Sequence, residues 1–358
     1  MRAGVHLFTA TAPDDVEGLA RALREGHIAA ADIVAIIGKT EGNGARNDFT
    51  RAMATHAFTR LLAEELAIPE SDVGQGVMLS FSGGSEGVIT PHYVVCTKSG
   101  LGLRPEPATG KRLALALART RAFDATETGT IVMVRETAAA VRRALGELRV
   151  TPDDVHLVHI KAAFPTAAAG IASPARCTMA HARAASALGV AAALGEVDSD
   201  ALTDDDIGAR LDLYSQVANV SAKPGLCVSE ILVLANSLYW DSSCRIYHAV
   251  MRDIIDIEPV RALLVAAGLS ACGQLALDQT QRIRAIFAKS DADSTHVVRG
   301  YRHTMWTDED FSDMRYSRCV VGAVLAALTG TTAIYVSTRA EHMGPPGGGP
   351  VAVIVDDE

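Results

Sequence analysis

Short runs of Val, Ile, Leu and Ala alternate along this chain with longer stretches in which apolar residues recur at helical spacing, which predicts strands and helices in turn. Residues 1–8 read as a strand, and 11–15 as a helix start continued over 16–25. Residues 32–38 form an apolar strand that ends at Lys39 and empties into the glycine-rich turn 40–44. A helix follows over 51–66, then a strand over 77–81 that meets Ser82-Gly83-Gly84, then a strand over 92–96. Pro105 and Pro107 break a polar connector over 98–111. The order then resumes with a strand over 113–117, an apolar run over 131–134, a helix over 137–148 and a strand over 155–160 that ends at Lys161. A helix from about His181 to Leu194, an acidic loop over 198–206, a strand over 216–220 that reaches Ser221 and a strand over 231–235 complete this round. A third round starts between Ser237 and Asp256. It has helical spacing over 254–269, a strand over 283–288 ending at Lys289, a helix over 318–328, a strand over 333–336 reaching Ser337, and a buried strand over 351–355.

Each round closes an apolar strand with a lysine (Lys39, Lys161, Lys289), places an arginine on a helix (Arg51, Arg183, Arg318) and brings a serine to an apolar strand (Ser82, Ser221, Ser337). The lysine-to-serine intervals are 43, 60 and 48 residues, so the repeat is divergent and carries insertions. The expected architecture is α/β, with three units over 1–102, 103–237 and 242–358 packed around a pseudo-threefold axis and one central site. A strand-end lysine can equally rest at the rim with its stem on the sheet, and a serine can cap a turn. Arg51 falls near a helix start, where the dipole disfavours a cation, so a contact is the better account of its position.

Composition narrows the class. The 358 residues are 49% hydrophobic and 5% aromatic, which suits a compact α/β protein and disfavours disorder. A net charge of -9, with no block of basic residues, disfavours broad nucleic-acid binding. The six cysteines are far apart and read as reduced core thiols. No apolar run approaches the roughly 20 residues that span a bilayer, and no signal-like segment opens the chain, so the cytoplasm is expected. His92, His159, His181, His303 and His342 lack the spacing of zinc ligands.

Six cations converging on one centre would attract a flat, anionic, hydrogen-bonding ligand and depress one another's lysine pKa values. A neutral lysine can take a serine's proton, so a Ser-Lys pair can serve as nucleophile and base, while serine hydroxyls, backbone N–H groups and arginine forks hold carbonyl oxygens. Residue types alone do not choose which pair acts.

The stretch Gly38-Lys39-Thr40-Glu41-Gly42-Asn43-Gly44 with Asn47-Asp48-Phe49-Thr50-Arg51 resembles the cyanuric acid hydrolase and barbiturase family of cyclic amidohydrolases. The likeness continues through Ser82-Gly83-Gly84-Ser85-Glu86-Gly87, Arg299-Gly300-Tyr301-Arg302-His303-Thr304-Met305 and Ala340-Glu341-His342 with the tail 344–354. The resemblance implies three similar units around one site, with Ser221 as nucleophile and Lys161 as its base. It implies substrate contacts from Lys39, Arg51, Ser82, Gly83, Arg183, Ala222, Lys289, Arg318, Ser337 and Thr338. The reaction implied is opening of cyanuric acid to carboxybiuret, which loses carbon dioxide to give biuret. Barbituric acid opened to ureidomalonate, another cyclic imide, or noncatalytic binding of an anionic heterocycle are the rival readings.

No catalytic cofactor is implied. A structural magnesium or calcium ion is, held by Ala340, Met343, Gly344, Pro345 and Gly348 with Asp291 as the acidic side chain, and so is a homotetramer. Two departures from the family pattern stand out. Thr338-Arg339 follows Ser337 where the family has two glycines, and Lys223-Pro224 follows Ser221-Ala222 where glycine and an apolar residue are expected.

Overall fold

The structure is a computed structural model that describes residues 1–45, 47–166, 173–293, 295–302 and 312–357. The first unit runs β1 (Arg2–Thr9), α1 (Glu17–Arg24), β2 (Ile33–Thr40), α2 (Thr50–Leu66), α3 (Glu70–Gly76), β3 (Met78–Gly83) and β4 (His92–Ser99). The second runs β5 (Arg112–Ala122), α4 (Ile131–Leu148), β6 (Val155–Phe164), α5 (Met179–Leu194), β7 (Ala218–Pro224) and β8 (Val228–Ser237). The third runs β9 (Cys244–Met251), α6 (Glu258–Ala266), α7 (Leu277–Thr280), β10 (Ile283–Ser290), the short pair β11 (Val297–Val298) and β12 (Tyr301–Arg302), α8 (Asp313–Thr329), β13 (Tyr335–Thr338) and β14 (Gly349–Asp356).

The three four-stranded sheets share one topology, with orders β1-β4-β2-β3, β5-β8-β6-β7 and β9-β14-β10-β13. In each, the fourth strand to be made inserts antiparallel between the first and second, and the third pairs parallel with the second. The repeat expected from the lysines, arginines and serines is therefore present in the hydrogen-bonding order of the strands.

Parallel pairing requires a crossover, and in every unit that crossover is the helix bearing the arginine: α2, α5 and α8. Local chemistry fixes these helices. Thr178 accepts the His181 N–H at 3.1 Å to start α5, and Gly195, at φ 75°, ends it. Nearly every residue of α5 is buried, and its small side chains allow α4 and the second sheet to close around it. The largest hydrophobic cluster centres on the second unit and takes in inner faces of the other two sheets, while the outer units keep smaller clusters of their own.

Several expected boundaries move. Helix α1 begins at Glu17, because residues 11–15 form a turn in which Asp15 accepts the N–H groups of Thr11 and Glu17. Helix α4 takes in the apolar run before 137 as one continuous element capped by Thr130. The span 254–269 contracts to α6, and α8 starts at Asp313, ahead of Arg318. Strand β9 and helix α3 were not anticipated, since half-buried β9 mixes Arg245, Tyr247 and His248 into its apolar pattern. Three of the six cysteines are buried, fewer than expected. His303, Thr304 and Met305 lie outside the described residues.

Candidate active site

Parallel pairing sets the central geometry. Lys39 stands opposite Ser82, Lys161 opposite Ser221 and Lys289 opposite Ser337, the same register in all three sheets. Three lysines and three serines thus face one centre, and the arginine helices bring a guanidinium to each junction. A cavity of ≈ 230 Å³ is lined by all three serines and all three arginines, together with Lys161, Gly83, Ala222 and Thr338. Lys39 and Lys289 sit behind their serines instead of on its wall. A larger cavity, ≈ 960 Å³, opens elsewhere beside Arg2, His6, Arg284 and Asp356 and contains none of these groups.

The lysines also bolt the units together. Lys161 Nζ donates to the Phe81 carbonyl of the first unit at 3.0 Å, and Lys289 Nζ donates to the Val220 carbonyl of the second at 2.7 Å. In both cases the acceptor immediately precedes a site serine. Lys39 breaks the pattern by donating within its own unit, to Gly83 O at 2.8 Å and Ser82 Oγ at 3.4 Å. Lys289 likewise donates to Ser337 Oγ at 3.1 Å. Ser221 Oγ is buried and has no hydrogen-bond partner. Two residues earlier along the strands, Ser80 Oγ and His159 Nε2 lie 2.7 Å apart, and His159 meets Tyr335 edge-on at 5.4 Å between ring centres. This layer joins all three units beneath the cavity.

Burial lowers the pKa of every site lysine. Lys161 falls to about 7, first through desolvation and then through the charges of Arg51 and Lys223, against an opposing contribution from Glu230. Lys39 and Lys289 are also driven well below the ordinary lysine range by desolvation, with Arg318 adding to the effect on Lys39 and Arg183 to that on Lys289.

Two of the three arginines are clamped by glutamates. Arg318 makes a two-pronged pair with Glu86, at 2.6 Å from Nε and 2.5 Å from Nη2. Arg183 does the same with Glu341, at 2.9 Å and 2.6 Å. Glu86 and Glu341 each stand four residues beyond a site serine, a spacing visible in the sequence once the repeat is aligned. Gly84, at φ 95°, makes the first clamp possible, because a Cβ there would lie 2.5 Å from the Arg318 guanidinium carbon. Arg339 adopts the corresponding φ of 65° without being glycine, and Asp313 pairs with its guanidinium at 3.1 Å.

The Asp291 carboxyl is raised to about 6, chiefly by burial and then by the nearby charge of Glu341. The half-buried Asp291 carboxylate accepts the Ala340 N–H, and oxygen donors of the kind the resemblance implies here suit a hard cation. Among the described residues no cluster of three or more His, Cys, Asp or Glu side chains is placed to hold a metal.

The amidohydrolase ring-opening protein family model matches residues 4–356, and the chain belongs to that family of hydrolytic enzymes. A cyanuric acid amidohydrolase of Bradyrhizobium diazoefficiens is 43% identical over 362 residues, covering 98% of this chain and 97% of the relative. A cyclic amide hydrolase of Azorhizobium caulinodans is 40% identical over 366 residues, covering 99% of this chain and 100% of the relative. Among solved structures, a cyanuric acid hydrolase described as an innovation by structural concatenation superposes with a TM-score of 0.90 at 37% identity, covering 99% of both chains. The Azorhizobium caulinodans cyanuric acid hydrolase superposes at 0.87 with 40% identity, covering 100% of this chain and 99% of that one. Fold and membership thus agree with the expectation of three concatenated α/β units.

Proposed function

We propose that this protein opens the ring of cyanuric acid by hydrolysis, with Ser221 as nucleophile and Lys161 as base, and that its units divide at 1–102, 103–237 and 242–358. The observation that carries the assignment of the pair is an asymmetry. Ser82 and Ser337 accept hydrogen bonds from their own lysines, while Ser221 Oγ is buried, uncommitted and opposite Lys161, whose pKa near 7 leaves an appreciable fraction of the amine neutral at neutral pH.

In this mechanism the neutral Lys161 amine takes the Ser221 proton as Oγ attacks a ring carbonyl. Backbone and side-chain donors around Ser82, Ser337 and the clamped arginines hold the other carbonyls and the oxygen on which charge develops. The ring C–N bond breaks, and the lysine ammonium returns the proton to the departing nitrogen, leaving the opened chain esterified to Ser221. Lys161 then deprotonates water, which attacks the ester carbonyl. Ser221 leaves, regains its proton, and carboxybiuret is released. Loss of carbon dioxide from carboxybiuret gives biuret. Lys161 has to turn from the Phe81 carbonyl toward Ser221 for the first step, a rearrangement within the reach of its flexible stem.

Asp291 and the carbonyls of Ala340, Met343, Gly344, Pro345 and Gly348 would hold magnesium or calcium in this reading. The ion would stiffen the loop that carries Glu341. We also propose a cytoplasmic homotetramer, to be checked by sedimentation. No helix among the described residues is long and apolar enough to cross a membrane.

The test offers purified protein cyanuric acid and barbituric acid separately and identifies products by mass. Formation of biuret from cyanuric acid supports the proposal. Opening of barbituric acid alone moves the substrate to that ring, and binding of either without turnover rejects the catalytic reading.

A further inference from the structure

The junction between the first and second units is built differently from the other two. Where Glu86 and Glu341 stand four residues beyond their serines, the second unit has Gly225. The residues two beyond Ser82 and Ser337, Gly84 and Arg339, turn the chain inward with positive φ. The equivalent Lys223 does not. Strand β7 instead runs on through Pro224, with Lys223 opposite Ala163 and Pro224 opposite Phe164 of β6.

Arg51 consequently has no carboxylate fork. Its Nε is 3.7 Å from Asp48, and Nη2 donates to Ala45 O at 2.5 Å. Its side chain is 28% exposed, against 11% for Arg183 and 3% for Arg318. Asp48 is otherwise occupied, accepting the Gly44 and Thr50 N–H groups and the Thr50 hydroxyl.

At this junction a second cavity of ≈ 470 Å³ adjoins the central one, and the two share Arg51, Phe81, Lys161, Ala222 and Pro224 in their walls. Its remaining wall combines Leu79 and Ala52 with the polar side chains of Thr55, His56 and Thr59, the Asp48 carboxylate already committed to Gly44 and Thr50, and the exposed cation Lys223. The result is a passage of mixed lining, with Phe81, Ala222, Pro224 and Leu79 as its apolar part, that leads from the ring site toward two cations lacking a carboxylate fork.

We propose that this cavity is a substituent subsite, and that the protein accepts imide rings bearing a carboxylate-terminated group on a ring nitrogen. The substituent lies along Phe81 and Pro224, and its carboxylate is received between Arg51 and Lys223. The proposal rests on the ring-opening activity above and extends its substrate class. The hydrolytic step is unchanged, because the substituted nitrogen stays in the opened product and water remains the only co-reactant.

The test compares cyanuric acid, N-(carboxymethyl)isocyanuric acid and the neutral N-propylisocyanuric acid on wild-type protein and on Lys223→Ala, an exposed change that leaves the core intact. Ring opening of the carboxymethyl compound is expected; at a pH well above 7, where Lys161 is neutral with or without the Lys223 charge, Lys223→Ala should raise its KM about tenfold while the KM of the other two moves by less than about twofold. Failure to open or bind the carboxymethyl compound while cyanuric acid is consumed overturns this proposal alone. An equal rise in KM for all three compounds under those conditions overturns it as well. If cyanuric acid is not consumed, the activity proposal fails, and calorimetry of the carboxymethyl ring decides the subsite: weaker binding to Lys223→Ala supports it, and equal or absent binding rejects it.

Discussion

The outer units and the middle unit use the same parts to different ends. In the first and third, lysine is hydrogen-bonded to its own serine, and a glutamate four residues further on grips the arginine of a neighbouring unit. In the middle unit the serine is uncommitted, its lysine donates to another unit's carbonyl and not to that serine, and the glutamate is replaced by Gly225. Threefold construction thus supplies a ring of polar groups matched to a flat ligand, while departures from the symmetry concentrate unsatisfied chemistry at one serine. A strictly symmetric site would have no preferred point of attack.

The sharpest way to break this contrast is to remove each serine in turn. Ser221→Ala is expected to lower kcat on the order of 10⁴-fold while retaining ligand binding by calorimetry. Ser82→Ala and Ser337→Ala should cost on the order of 10²-fold, as losses of positioned donors. Equal losses at all three would show that the middle serine is not special.

The clamps come next. Glu86→Gln and Glu341→Gln keep the shape but remove the charge that holds Arg318 and Arg183. Each is expected to lower kcat/KM on the order of 10²-fold through misplacement of the guanidinium. The middle unit has no such glutamate to remove.

The smallest effect is in the pH profile. In the proposed mechanism the neutral form of Lys161 is the active one, so kcat/KM should rise with pH and level off above about 7. Glu230 stands opposite Lys161 and favours its charged form, so Glu230→Gln should move that rising limb toward lower pH. A shift toward higher pH would exclude Lys161 as the group that titrates.

Much of this was legible in the chain because strand and helix patterns recur around chemically distinctive residues. Lys39, Lys161 and Lys289 end apolar runs, and parallel pairing turns those positions into one register. The clamps were harder to see. Glu86 and Glu341 lie inside recognisable motifs, but their role depends on a neighbouring unit, and an intermolecular-like contact of that kind leaves no local periodicity. Strand β9 was hidden by its half-buried face. The lysine and proline after Ser221 stood out as departures, yet only the strand register shows that they extend β7, and only the resulting cavity shows what that extension opens.

The strand order carries a consequence for synthesis. In all three sheets the strand that fills the gap between first and second is the last of its unit to be made: β4, β8 and β14. Until it emerges from the ribosome, two apolar strands wait with open edges, the condition under which nascent chains pair with the wrong partner. Strand β14 is buried along its whole length, so the third sheet remains open until residues 349–356 are in place. The chain therefore matures in three closures, and the central cavity, which draws on all of them, arrives with the last.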